Sequence, residues 1–362
     1  MRLLCPNPSA IHRLCLLACL VHIAPVLSAQ SPRPAVHVVA TGGTISNLGN
    51  GARRSGEELI RGIPGLDTTF SVTVEQFSNV ASGSITPEHW IALARRINEL
   101  FQTRPDLRGV VVTHGTDTIE ETAFFLDLTV GSCRPVVVTG AMRRAADVGA
   151  EGPANLYNSI RLAAAPGARG RGTMVLLNDE IHAARFVTKA NTSRLDAFAS
   201  PDAGPLGVTD PDTVVFHHPP SRACPSRGVE APTYDLRSVG ALPRVDIVYS
   251  YIGADSMTVE ALVNAGARGL VLASVGRGGT PPGQGAALRR AVDRGIFVLV
   301  SSRTGSGRVP FREREGMEGW RPGRGAAFGA EDLNPQKARI LLMLALARTQ
   351  DPREIARYFR RP

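Results

Sequence analysis

The sequence contains little lysine, few aromatic residues and few cysteines. Aromatic residues make up only 5% of its 362 residues, so a core must be built mainly from aliphatic side chains. The five cysteines are too few for a small disulfide-stapled scaffold, and the hydrophobic content of 43% excludes an intrinsically disordered chain. This length and composition predict one large or two ordinary globular domains.

Lysine is almost absent, although the chain has 41 basic residues and a formal net charge of +9. The two lysines are Lys189 and Lys337. Arginine does not release its proton at neutral pH, so a retained lysine is a candidate for proton transfer, and compositional bias is the alternative. The arginines are scattered among acids, so we predict no nucleic-acid partner. A nucleic-acid-binding protein is an alternative that rests on the charge alone.

Beyond its first 29 residues the sequence lacks a long apolar run, so we predict no membrane partner. Residues 1–29 resemble a secretory signal peptide: Arg2 lies in a basic start, Leu14–Leu27 is mostly apolar, and Ala29 ends a small-residue cleavage site. Processing at Cys19, as in a lipoprotein, is the alternative. We therefore expect a secreted or periplasmic protein.

Cleavage near Ala29 would leave two cysteines, Cys133 and Cys224. They could pair in an oxidising compartment, but their spacing does not decide whether they do. Nowhere do cysteines and histidines have the spacing of a zinc site, so we predict no metal ion.

Short aliphatic runs alternate with helical patterns along the chain. The runs are rich in β-branched residues and do not alternate with polar ones, which is typical of strands buried on both faces of a parallel sheet. We predict an α/β fold, with a doubly wound, mostly parallel sheet in a large N-terminal domain and a smaller C-terminal α/β domain. The predicted strands are 36–40, 109–113, 135–139, 174–177, 245–249, 269–274 and 296–301. The predicted helices are 87–101, 119–128, 155–165, 258–265, 285–293 and a closing helix from Pro335.

The predicted domain boundaries follow changes in this pattern. The signal peptide covers residues 1–29, and the N-terminal domain covers 30–218. A proline-rich stretch without periodicity predicts a linker over 219–243, and the C-terminal domain covers 244–362.

Three predicted strands end in clusters of glycine and hydroxyl residues, within 38–44, 111–118 and 137–142. The carboxyl ends of parallel strands form the ligand crevice of open α/β sheets. A single Gly-Thr turn would favour a plain connection between strand and helix. Three converging turns with an aspartate among them predict a site.

A capping box, Thr118 followed by Glu121, predicts that a helix begins directly after Thr116 and Asp117. Backbone amides at a helix N-terminus can hold an anion or a developing oxyanion. A threonine hydroxyl needs a base to act as a nucleophile, and Lys189 is the one lysine outside the closing helix. The chain lacks a Gly-x-Ser-x-Gly elbow, which disfavours an ordinary serine hydrolase.

Two threonine motifs are the most specific part of the sequence. They are Ala-Thr-Gly-Gly-Thr-Ile at 40–45 and Val-Thr-His-Gly-Thr-Asp-Thr-Ile-Glu-Glu-Thr-Ala at 112–123. With them the chain resembles the bacterial type II L-asparaginases, a group that includes glutaminase-asparaginases. The resemblance continues, in order, through segments at 140–143, 151–158, 187–189 and 333–339.

The resemblance implies catalytic roles for four residues. Thr44 matches the family's primary nucleophile, Thr116 the second catalytic threonine and Lys189 the lysine that activates it. Asp117 matches the acid that binds the substrate's α-ammonium group and supports the Thr-Lys pair. The implied reaction is hydrolysis of L-asparagine to L-aspartate and ammonia through an acyl-enzyme on Thr44, without a metal or organic cofactor.

The resemblance also implies the substrate-binding positions and the assembly. Thr116 and Asp117 contact the substrate, Ser82 falls where the family has a serine for the α-carboxylate, and the backbone at Ala141 faces the side-chain amide. Gly83 stands where the family often has a glutamine ammonium ligand, and we include it among these positions. Family members are typically homotetramers, dimers of intimate dimers, in which a neighbour's C-terminal domain completes each site.

Three departures from the family pattern leave alternatives open. The lid segment 47–55 is short and lacks the usual tyrosine, and Gly253 stands where a partner's asparagine is common. Glu313 and Glu315 are the candidates for the partner's acid. L-glutamine is an alternative substrate, and a non-catalytic periplasmic amino-acid-binding protein is an alternative of another class.

Overall fold

The computed structural model describes residues 32–220, 224, 234–237, 239–312 and 323–359. The chain divides into two compact units, Met1–Arg33 and Pro34–Pro362, and the architecture is that of the second. The predicted signal peptide, Glu313 and Glu315 lie outside the described residues, as does part of the predicted linker.

An eight-stranded sheet dominates the N-terminal part of this unit, in the order β12-β11-β8-β7-β6-β5-β1-β4. The strands of this part are β1 (Ala35–Gly42), β2 (Asn47–Gly49), β3 (Ala52–Arg53), β4 (Ser71–Val80), β5 (Leu107–Thr113), β6 (Val136–Thr139), β7 (Thr173–Leu177), β8 (Glu180–Ala183), β9 (Thr188–Lys189), β10 (Phe198–Ala199), β11 (Gly207–Thr209) and β12 (Val214–Phe216). From β4 to β7 the neighbours are parallel, and β8, β11 and β12 extend the sheet by antiparallel pairing. Two small antiparallel pairs, β2 with β3 and β9 with β10, lie apart from it.

A four-stranded parallel sheet forms the C-terminal part, in sequence order. Its strands are β13 (Val245–Tyr249), β14 (Gly269–Ser274), β15 (Phe297–Ser302) and β16 (Ala327–Gly329). The helices of the described chain are α1 (Gly56–Arg61), α2 (Leu66–Thr69), α3 (Pro87–Thr103), α4 (Ile119–Thr129), α5 (Gly152–Ala164), α6 (Met257–Asn264), α7 (Pro282–Asp293), α8 (Pro335–Leu346) and α9 (Pro352–Phe359).

The predicted fold class is confirmed, and every predicted strand and helix is present within a few residues of its predicted bounds. The sequence pattern did not predict the short strands β2, β3, β8 to β12 and β16 or the helices α1, α2 and α9. It also did not predict β4, the long edge strand of the large sheet. Its residues are half-buried or exposed and include serine, threonine and glutamate, so it has no continuous aliphatic run. An edge strand with one partner does not need such a run.

The central strands are buried on both faces, as their aliphatic runs predict. Val110 and Val112 of β5 pack into a core with α3 and α4, while Val111 between them packs into a second core with α5. The first core also contains Val271 of β14 and Leu341 of α8, so the two sheets share one continuous apolar interior. This shared core packs α8 against α4 and against β13, β14 and β15.

Cys133 and Cys224 form a disulfide, which settles a pairing that the sequence left open. The two residues are 91 positions apart, and their Cα atoms lie 5.9 Å apart. Closing a loop of this length stabilises a fold by about 4.6 kcal/mol in the chain-entropy account. No helix in the described part of the chain is both long and apolar enough to cross a membrane.

Candidate active site

Four neighbouring strands of the large sheet end at the predicted site residues. Ser82 follows β4, Thr44 follows β1, Thr116 follows β5 and Ala141 follows β6, and these strands are adjacent in the order β6-β5-β1-β4. Because the four strands are parallel, their carboxyl ends lie at one edge of the sheet. The strand ends that carry the predicted site residues therefore lie next to one another, as the sequence predicted.

Two glycines bring the Thr44 turn against the Thr116 turn. Gly42 and Gly43 have φ values of +109° and +88°, which favour glycine. A Cβ atom on Gly43 would lie 2.3 Å from the backbone nitrogen of Gly115. The turns that carry Thr44 and Thr116 thus touch backbone to backbone, and any side chain at Gly43 would separate them.

Lys189 contacts two adjacent residues of the second threonine motif, Thr116 and Asp117. Its Nζ atom lies 3.0 Å from Thr116 Oγ1 and 2.6 Å from Asp117 Oδ1. Thr116 is buried, the Lys189 side chain is 15% exposed, and the Asp117 side chain is 79% exposed. The amine therefore lies between a buried hydroxyl and a carboxylate that solvent or a ligand can reach.

A buried hydrogen-bond chain fixes the backbone just before Thr116. Trp90 Nε1 donates to Thr122 Oγ1 at 2.9 Å, and the Thr122 hydroxyl then donates to His114 Nε2, also at 2.9 Å. This leaves His114 Nδ1 to donate to the Gly115 carbonyl at 2.8 Å. Burial lowers the pKa of His114 to about 4, so the ring is neutral and this tautomer persists at neutral pH. The sequence reasoning did not assign this role, although His114 lies inside the quoted motif.

Ser82 packs against the Thr116 turn, and its neighbourhood corrects one prediction. A Cβ atom on Gly115 would lie 2.7 Å from Ser82 Oγ. The α4 helix begins at Ile119 as predicted, but the predicted capping box does not form. The Thr118 hydroxyl instead donates to the Ser82 carbonyl at 3.0 Å, which ties the end of β4 to the start of α4. Gly83 is exposed, and a Cβ atom there would meet open space.

The turn after β6 is held by α5. Asn155 Nδ2 donates to the Gly140 carbonyl at 3.0 Å, and the Met142 amide donates to the Glu151 carboxylate. Ala141 between them is buried. Its backbone position is thereby fixed from both sides.

The short lid segment forms the β2–β3 hairpin. Asn50 and Gly51 at its tip have φ values of +52° and +82°, as tight hairpin turns require. Arg53 Nη1 donates to the Gly43 carbonyl at 3.2 Å, and the Ala145 amide donates to the Asn47 carbonyl at 2.9 Å. The hairpin is thus anchored to the Thr44 turn and to the turn after β6.

Among the residues that the structure describes, no group of three or more His, Cys, Asp or Glu side chains is arranged to hold a metal ion. The functional groups at this site are the hydroxyls of Thr44, Thr116 and Ser82, the Lys189 amine, the Asp117 carboxylate and backbone amides.

Two family models match nearly all of the second unit. The model described as "Asparaginase, N-terminal" matches residues 35–222, and that described as "Glutaminase/Asparaginase C-terminal domain" matches residues 244–359.

Individual proteins are similar over the same span. L-asparaginase 2 of Bacillus subtilis is 40% identical over 92% of this chain and 88% of its own length. Glutaminase-asparaginase of Pseudomonas fluorescens biotype A is 37% identical over 90% of this chain and 89% of its own length. The crystal structure of a probable cytoplasmic L-asparaginase from Campylobacter jejuni is similar with a TM-score of 0.80 and 38% identity. That similarity covers 90% of this chain and 99% of the other.

Proposed function

This chain belongs to the asparaginase family, and we propose that it is an L-asparaginase with Thr44 as its nucleophile. The reaction is hydrolysis of L-asparagine to L-aspartate and ammonia. The observation that carries the residue assignment is the contact of Lys189 with both Thr116 and Asp117, directly beside the turn of Thr44.

The polar groups at the site suit a small zwitterion. The Asp117 carboxylate is open to solvent and can accept the α-ammonium group of an amino acid. Ser82, whose hydroxyl packs against Gly115, and Thr116 supply hydroxyls for the α-carboxylate. The fixed backbone around Ala141 is the surface toward which the side-chain amide would point.

In the proposed acylation step, Thr44 Oγ1 attacks the amide carbon and forms an ester as ammonia leaves. Lys189 in its amine form accepts the proton of Thr116, which allows Thr116 to take a proton from the attacking hydroxyl. That proton is returned to the leaving nitrogen. In deacylation, a water molecule replaces Thr44 as the group that gives its proton to Thr116, and hydrolysis releases L-aspartate.

L-glutamine is the second candidate substrate, since one relative is named a glutaminase-asparaginase. One methylene group changes discrimination by only about 1–3 kcal/mol, so both amides must be measured. We expect ammonia release from both, with a higher kcat/KM for L-asparagine. Binding of L-asparagine without turnover would instead identify a non-catalytic amino-acid-binding protein.

We further propose that the working form is a homotetramer built from intimate dimers. The C-terminal part exposes a group of large apolar side chains around the end of β13 and the start of α6, with Ile252 at 99% and Met257 at 72% exposure. These side chains are Tyr249, Tyr251, Ile252 and Met257. Exposed apolar clusters of this kind mark protein interfaces. Sedimentation equilibrium is expected to show a tetramer, and Ile252→Arg is expected to shift it to smaller species, whereas a monomeric wild type would refute the assembly.

We propose that the protein is exported. The signal-like residues 1–29 and the Cys133–Cys224 disulfide support an oxidising compartment, either the periplasm or the exterior.

A further inference from the structure

Lys337 is buried yet has no part in the proposed reaction. It lies in the first turn of α8 and is only 1% exposed. Its Nζ atom donates to the Arg185 carbonyl at 2.9 Å and also to the Val187 carbonyl. Burial lowers its pKa to about 8, so at neutral pH it is mostly an ammonium group. The protein therefore buries an ammonium group whose hydrogen bonds go to two backbone carbonyls.

Those carbonyls belong to the turn that leads into β9. The amides of Phe186 and Val187 both donate to the Ala183 carbonyl, so the turn closes on itself at the end of β8. Lys189 follows Val187 by two residues, on a strand of two residues paired with another of two. A pair of two-residue strands has few hydrogen bonds to fix the position of Lys189. The hydrogen bonds from Lys337 to the preceding turn therefore help to determine where Lys189 lies.

The residues around Lys337 also bind the helix that follows Thr116. Asn334 Nδ2 and Gln336 Nε2 donate to the carboxylate of Glu120 at 3.3 and 2.9 Å. Lys337 Nζ lies 6.0 Å from the centre of the Phe124 ring. Glu120 and Phe124 both lie on α4, and Glu120 is three residues after Asp117.

Two further contacts anchor this segment. Arg185 makes two hydrogen bonds to the Asp332 carboxylate, at 2.6 and 3.1 Å. The Ser301 hydroxyl donates to the Leu333 carbonyl at 2.6 Å, which ties the segment to β15. We call residues 332–337 the clamp segment.

We propose that the clamp segment keeps Lys189 within hydrogen-bonding distance of Thr116, with Lys337 as its central positioning residue. Lys189 and Thr116 are 73 residues apart in sequence, on separate segments. The clamp segment contacts the turn before Lys189 through Lys337 and Asp332, and the helix after Thr116 through Gln336. The proposal rests on the proposed function, since it assigns meaning to the Lys189–Thr116 distance.

The first test is the steady-state kinetics of Lys337→Met, which keeps the side chain's bulk and removes its donors. A misplacement of a catalytic group by about 1 Å costs roughly 100-fold in rate, so we expect kcat for L-asparagine to fall by about that factor. KM is expected to change less than about threefold, because no substrate-binding residue is replaced and the Asp117 carboxylate stays open to the α-ammonium group.

Arg339→Met is the matched control. Arg339 lies on the same helix and also donates to a backbone carbonyl, that of Val245 at 2.8 Å, but this carbonyl lies at the start of β13. Its loss is expected to lower the thermal midpoint while kcat stays within about twofold of wild type. A general loss of packing would lower kcat in both variants.

The second test measures the accessibility of the Lys189 amine to a chemical label and does not depend on catalytic turnover. In Lys337→Met, Lys189 is the only lysine left, so acylation by a water-soluble succinimidyl ester reports on it alone once the α-amino group is separated by peptide mapping. We expect its labelling rate to rise about tenfold relative to the Lys189 peptide of Arg339→Met, as the amine leaves Thr116. This result stands even if the wild type hydrolyses neither amide, which separates failure of the clamp from failure of the proposed function.

If Lys337→Met does not fold by circular dichroism, two variants at half-buried positions replace it. Gln336→Leu removes the hydrogen bond to Glu120, and Asp332→Asn leaves one acceptor where Arg185 now has two. Each is expected to lower kcat several-fold with KM nearly unchanged. The proposal is overturned if a folded Lys337→Met leaves both kcat and the Lys189 labelling rate at the wild-type values. If Lys337→Met does not fold, it is overturned if Gln336→Leu and Asp332→Asn both leave these two values unchanged.

Discussion

Replacing Thr44 with alanine is expected to lower kcat for L-asparagine by at least about 10⁴-fold. Removing the nucleophile of a hydrolase leaves only the contribution of binding and of the oxyanion donors, as in other covalent hydrolases. Thr44 begins a short 3₁₀ turn and is half-buried, so alanine fits there without a clash. The measurement is L-aspartate release at saturating L-asparagine.

Two variants control this experiment. Thr44→Ser keeps a hydroxyl and is expected to retain a substantial fraction of the activity. Thr68→Ala removes an exposed hydroxyl of α2 that donates to the Gly65 carbonyl, and it is expected to leave kcat unchanged. Activity of Thr44→Ala within tenfold of wild type would rule out Thr44 as the nucleophile.

Replacing Lys189 with arginine is expected to lower kcat by about 10³-fold or more while L-asparagine still binds. Arginine keeps the positive charge beside Asp117 but cannot give up its proton, so it can pair with the carboxylate and cannot act as a base for Thr116. Calorimetry would measure the binding and L-aspartate release the turnover.

The matched control exchanges the same two residue types in the opposite direction. Arg194 forms an exposed ion pair with Asp196 in the loop after β9. Exposed ion pairs contribute little to stability, so Arg194→Lys is expected to leave kcat and stability unchanged. If Lys189→Arg turned over L-asparagine at the wild-type rate, Lys189 would not be on the proton path.

Most of the fold and the threonine pair follow from local sequence patterns. The buried strands are recognisable because each is an aliphatic run, and the site is recognisable because three runs end in glycine and hydroxyl residues. Their convergence needs only the rule that parallel strands end at one edge of a sheet. The Thr44 and Thr116 turns were predictable for this reason.

Contacts between distant segments were not predictable from local patterns. The capping box at Thr118 has the right spacing, but the hydroxyl is used by the Ser82 carbonyl, 36 residues away. The Cys133–Cys224 pairing depends on the course of the chain between them. The rarity of lysine did single out Lys337, yet its meaning depends on the turn at Arg185, which only the tertiary structure brings to it.

The most direct test of the account is to identify the residue that carries the acyl group during turnover. The wild-type enzyme would be mixed with L-asparagine, quenched in acid and mapped by peptide mass spectrometry. The account predicts an aspartyl ester on the peptide that contains Thr44, lost in Thr44→Ala. An aspartyl ester on the Thr116 peptide, or on any other residue, would contradict it.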